Sequence, residues 1–105
     1  LRELLDHSFL VVRRNAAVAL GKLADVQSAP KLRQSLFTIR KPEVLDHTRY
    51  GTEICFDENM RAAAAQGLGL MQDAASLPSL RKALANEPVP WVRKVIEEAL
   101  ERMKN

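Results

Sequence analysis

The 105-residue sequence predicts an all-α fold, a stack of about three helix pairs, and three observations predict it. The word "VRRNAAVALGKLAD" at 12–25 returns 48 residues later as "MRAAAAQGLGLMQD" at 60–73. A second word, "LRELL" at 1–5, "LRQSL" at 32–36 and "LRKAL" at 80–84, accompanies it, so the repeating unit holds two helices. The composition agrees, since 47% of residues are apolar and only 5% aromatic, which suits a helical core of Ala, Leu and Val.

Self-alignment sets the units. A shift of 48 brings Val12-Arg13 onto Met60-Arg61, Ala16-Ala17 onto Ala64-Ala65, Gly21 onto Gly69, Asp25 onto Asp73 and Pro30 onto Pro78. A further shift of 32 takes Met60-Arg61 to Val92-Arg93 and Leu68 to Leu100. The expectation is one repeat domain over 1–105, with units at about 1–25, 26–73 and 74–105. Because the chain opens at Leu1, already inside a helical pattern and without an initiator Met, it reads as a fragment of something longer.

Each element has a local reason. Val12, Ala16, Leu20 and Leu23 recur at spacings of 4, 4 and 3, one face of a helix, and Met60, Ala64, Leu68 and Met71 repeat the pattern. Ser8 and Asp57 are the expected N-caps of these longer helices, and Pro90 opens the last one. Pro30 and Pro78 fall early in the shorter helices, where a missing N–H costs little. Gly21 and Gly69 cost roughly 1 kcal/mol each against Ala inside a helix, so their recurrence points to close packing or a helix end. The many Ala residues let neighbouring helices approach closely, as stacked pairs require.

The 48-residue spacing exceeds the 32-residue one by 16 residues, which fall inside unit two at 38–55. This insertion holds the only Tyr and the only Cys. Pro42 through Asp46 reads as a short helical turn, and Arg49-Tyr50-Gly51-Thr52 as a tight turn with Gly51 able to take a positive φ. Such an insertion is either a functional loop at one edge of the stack or a lengthening that costs little closure entropy.

These words resemble the HEAT-like repeats of the PBS (phycobilisome) lyase type, whose unit reads approximately "LxxxL", a turn with Asp or Pro, then "VRxxAAxALGxLGD". "LRELLDHSFLVVRRNAAVALGKLAD" fits nearly throughout, whereas the third unit has lost the small Ala-Ala core. The resemblance implies a right-handed α-α superhelix. It further implies that Arg13, Arg61 and Arg93 pair with acidic residues at the turns, such as Asp6, Asp25, Asp57 or Asp73, in a structural role. A bilin-lyase-like chaperone subunit is among the functions it admits.

The residues offer little catalytic chemistry, so no enzyme activity, cofactor, metal or catalytic residue is expected. His7 and His47 stand alone, with no second ligand at helical spacing. Cys55 with His47 lacks an orienting third group, and "GLGLM" at 67–71 lacks the strand-turn context of a phosphate loop. A single cysteine excludes an intrachain disulfide and fits a reducing, cytoplasmic setting. No apolar run approaches the length of a membrane span, so no membrane partner is expected. A net charge of +3 with both signs interspersed permits a nucleic-acid partner without implying one.

A binding surface is the remaining feature. Rotation from the packed face puts Arg14, Asn15, Val18 and Lys22, then Ala62, Ala63, Gln66 and Leu70, then Lys94, Val95, Glu98 and Arg102 on the concave side. An apolar middle strip with a charged rim suits a protein partner. The leading expectation is a non-catalytic scaffold that binds a protein through Arg14, Lys22, Ala62, Ala63, Gln66 and Leu70, together with Arg49 and Tyr50 of the insertion. The runner-up is nucleic-acid binding along a basic edge of Arg13, Arg14, Lys22, Arg40, Lys41, Arg49 and Lys94. The open amino-terminal end of the stack also invites self-association, while the charged "EEALERMKN" closes the other end.

Overall fold

The doubled word forms the long helix of each pair, and the "LRxxL" word the short one. In the computed structural model the described residues are 1–7, 9–37, 43–48, 51–55 and 57–103. A 3-10 turn at Arg2–Asp6 precedes helix α1 (Leu10–Lys22), and a second at Val26–Ser28 runs into α2 (Ala29–Ser35). Strands β1 (Glu43–Thr48) and β2 (Gly51–Cys55) lead to α3 (Asp57–Met71). A third 3-10 turn at Ala74–Ser76 then opens α4 (Leu77–Asn86), and α5 (Pro90–Arg102) follows.

Two layers result. The long helices α1, α3 and α5 lie side by side, and the first 3-10 turn, α2 and α4 back them in a second layer. Residues early in the long helices, Asn15, Ala62 and Trp91 among them, line one recess. Later ones meet further along, Gly21 with Gly67 and Gly69 with Ala99, so the three helices run parallel. This is the expected helical solenoid. Its core joins Ala16, Ala17 and Leu20 to Leu32 and Leu36, then to Leu68, Leu80, Val92 and Ile96.

The central helix explains the Ala run. With α1 on one side, α5 on the other and α2 behind, α3 buries nearly every residue from Met60 to Met71 except Gln66 and the half-buried Leu70. Space is shortest at the glycines: a Cβ on Gly21 would sit 2.5 Å from the Gly67 carbonyl oxygen, and one on Gly67 2.5 Å from that of Ala17. Close packing is therefore the reason for the glycines.

Helix ends follow local chemistry, with some differences from expectation. Pro30 and Pro78 occupy the first turns of α2 and α4, and Pro90 that of α5. The N-cap of α1 is Phe9, which makes no side-chain cap hydrogen bond; Ser8 lies outside the described residues. Asp57 is the first residue of α3 rather than its cap. "LRELL" closes as a 3-10 turn, with Leu4 N–H donating to the Leu1 carbonyl. Leu23, expected on the packed face, is 65% exposed, because it stands at the C-cap, past the last turn of α1.

The inserted segment departs most from the sequence reading. Where a helical turn was expected through Asp46, β1 and β2 form an antiparallel hairpin, with an irregularity in register between Val44 and Asp46. Strand-forming Val44, Ile54 and Thr52 outweigh the helix-starting Pro42 once two runs can pair. Thr48 pairs with Gly51, while Arg49 and Tyr50 of the expected tight turn lie outside the described residues.

Candidate interaction groove

A shallow groove of about 270 Å³ crosses the three parallel helices. Arg14, Asn15 and Val18 come from α1, Asn59, Ala62, Ala63 and Gln66 from α3, and Trp91 and Val95 from α5. A smaller recess of about 140 Å³ continues along α5, lined by Gln66, Val95, Glu98, Ala99 and Arg102. Nine of the twelve positions expected on the concave side line these two recesses; Lys22, Leu70 and Lys94 do not.

Two details differ from expectation. Ala62 and Ala63 do not form an open apolar strip, because neighbouring α1 and α5 leave them only 7% and 6% exposed; they are the floor. Trp91 and Asn59 also line the groove. They share one column of the repeat, 32 residues apart, and one turn of continuation back from Ala63 and Val95 reaches both. Lys22 is exposed and Leu70 half-buried on the same helices, while Arg49 and Tyr50 lie outside the described residues.

Of the repeat arginines, Arg61 meets an acidic residue at a turn of the neighbouring unit, as the resemblance implied, with Glu87 as that residue, while Arg13 and Arg93 donate to main-chain carbonyls. Arg61 donates through Nε to Glu87 Oε1 at 2.6 Å and through Nη2 to Oε2 at 2.9 Å, a two-pronged pair. Both residues are buried, at 9% and 5% exposure, and Glu87 Oε2 also accepts the Val89 N–H at 3.1 Å. The pair thereby ties α3 to the turn between α4 and α5. Arg13 Nη1 donates to the His7 carbonyl at 2.7 Å, and Arg93 Nη1 to the Glu87 carbonyl at 3.3 Å, each six residues back. Asp25 is held by Arg2 at 2.7 Å, and Asp73 by Arg33 at 3.0 Å and the Ser76 hydroxyl at 2.7 Å. An aspartate that sits at a helix end in sequence meets whichever cation the second layer brings there, which spacing along the chain does not reveal. Asp6 pairs with Lys31.

Other candidate chemistry separates in space. The hairpin register sets Cys55 opposite Glu43 and His47 opposite Thr52, three residues or about 10 Å apart along β2. His7 Nδ1 accepts the Phe9 N–H at 3.1 Å. Among the described residues, no three His, Cys, Asp or Glu side chains form a metal-holding group. No helix among them is long and apolar enough to cross a membrane. A second recess of about 190 Å³ lies between Leu36, Phe37, Ala83 and Pro88 beside the Arg61–Glu87 pair, and the amino-terminal end of the stack presents Leu1, Leu23 and Ala24.

Parallel long helices backed by short ones, with a groove drawn from successive units, define an α-solenoid, an architecture commonly used for protein interaction. Residues 12–38 match the family model for the PBS lyase HEAT-like repeat, and residues 55–101 that for HEAT repeats. Between them these matches cover 74 of the 105 residues, so the chain carries HEAT-like repeats, of the PBS lyase type over 12–38. No curated protein and no solved structure matches it.

Proposed function

We propose that this protein is a non-catalytic scaffold that holds a segment of a protein partner in the groove across α1, α3 and α5. The observation that carries this reading is the groove's construction from three units, with an Ala floor, Val18, Val95 and Trp91 as apolar walls, and Arg14, Asn15, Asn59 and Gln66 around them. An apolar centre with a polar rim is the anatomy of a protein interface. The amide side chains can both donate to and accept from a peptide backbone. A cytoplasmic setting is consistent with the single cysteine.

Selection of random displayed peptides on the immobilised protein tests this reading. Trp91 is the only Trp in the chain and is 46% exposed, so groove binding is expected to shift its emission. Filling the groove with Gln66→Trp is expected to weaken the selected peptides at least about ten-fold, or 1.4 kcal/mol. Selected peptides that bind the filled variant as tightly as the parent would place recognition elsewhere.

A further inference from the structure

Two sets of cations stand out among the described residues. Arg2, Lys31, Arg33 and Arg61 are engaged in ion pairs, of which Lys31–Asp6 and Arg61–Glu87 join one unit to the next. Arg14, Lys22, Lys94 and Arg102 lie on or beside the groove, and among the described residues none of these four is drawn into an ion pair. Arg14 lines the main groove and Arg102 its continuation; Lys22 is exposed two turns beyond Arg14, and Lys94 is exposed one turn beyond Trp91. The residues lining the groove and its continuation include one carboxylate, Glu98. Most carboxylates of α5 are elsewhere on that helix: Glu97 and Glu101 are exposed outside the lining.

We infer that the groove selects an acidic peptide segment, with an apolar side chain seated on Ala62 and Ala63 between Val18, Val95 and Trp91, and flanking carboxylates met by the unpaired cations. The inference rests on the groove reading above and adds the chemistry of the occupant. Charge complementarity favours it, because the lining carries two uncommitted cations, Arg14 and Arg102, against one carboxylate, with Lys22 and Lys94 exposed beside it. The parallel helices add to this, since α1, α3 and α5 point their positive amino-terminal ends toward the Trp91 end of the groove. A nucleic acid fits less well: its regular phosphates call for a cation in every unit, and the middle unit offers Asn59, Ala62, Ala63 and Gln66.

Three short fluorescein-labelled peptides of equal length provide the test: a Leu-Phe anchor flanked by Glu, the same anchor flanked by Lys, and a Glu peptide with Ser in place of the anchor. Binding is followed by anisotropy and by Trp91 emission, with single-stranded RNA as competitor. The expected result is that the Glu-flanked anchor binds at least about ten-fold tighter than the Lys-flanked one, with the gap narrowing as salt rises. Arg14→Glu is expected to shrink or reverse the preference, as is Lys22→Glu at its exposed position, with unchanged circular dichroism. Loss of the anchor is expected to abolish the Trp91 shift. Equal binding of Glu- and Lys-flanked peptides, each shifting Trp91, overturns the acidic selectivity and leaves the groove reading standing. If no peptide moves Trp91, both fail. RNA that shifts Trp91 and displaces the Glu-flanked peptide also overturns the inference.

Discussion

Replacing Gly67 by Ala tests the packing that creates the groove. Ala is the better helix former by about 1 kcal/mol, so propensity alone predicts a more stable protein. The structure predicts the opposite. The new methyl would lie 2.5 Å from the Ala17 carbonyl oxygen and 3.3 Å from its carbon, with Leu32 Cδ1 at 3.4 Å. A relaxed C···O contact is about 3.3 Å or longer, so α1 and α3 must part by roughly 0.8 Å. The obstructing atom is main chain and cannot rotate away. Overpacking of this kind costs about 1–3 kcal/mol, and a gap near 1 Å forfeits up to about half of each dispersion contact along the seam. Taking the upper value and subtracting the propensity gain leaves a net loss of about 2 kcal/mol. For a domain near this size, that lowers the melting temperature by roughly 8–16 °C. Thermal and urea unfolding followed by far-ultraviolet circular dichroism measures it. Ala17→Gly in the same background is expected to rescue nothing, since it removes a side chain and leaves the carbonyl. A Gly67→Ala protein that melts at or above the parent temperature would refute the reasoning.

Two further outcomes follow from named contacts. Glu87→Ala takes a buried carboxylate from Arg61 and an acceptor from the Val89 N–H, and is expected to cost about 3 kcal/mol by urea midpoint, with Glu87→Gln milder; a loss below about 1 kcal/mol would show that the pair does not brace α3. Ala24 and Gln72, exposed equivalents 48 residues apart, hold left-handed backbone at φ 54° and 52° just past α1 and α3. Ala24→Gly and Gln72→Gly are each expected to stabilise by about 0.5–1 kcal/mol, read as a higher melting temperature, because Gly takes this conformation without strain.

Much of the fold was legible because a repeat states each rule more than once. The Arg-x-x-Ala-Ala spacing located α1 and α3, Pro30 and Pro78 located the starts of α2 and α4, and the offset between the 48- and 32-residue spacings located the insertion. Its secondary structure was less legible, since Pro42 signals a helix start while the following Val and Thr residues favour strands, and hairpin pairing decides between them. The groove was legible in outline from helical rotation. Its floor was misjudged because the exposure of Ala62 and Ala63 depends on how closely α1 and α5 approach, a distance set by Gly21, Gly67 and Gly69.

The sequence by itself determined that this protein is a stack of helix pairs and where its long helices recur, since these follow from spacings of three and four residues along one chain. Only the tertiary structure decided which charges are committed. Glu87 reaches Arg61 across 26 residues, and Arg33 reaches Asp73 across 40, by the juxtaposition of elements far apart in the chain. That same juxtaposition leaves Arg14, Lys22, Lys94 and Arg102 without an ion pair among the described residues, beside a groove that no single helix contains.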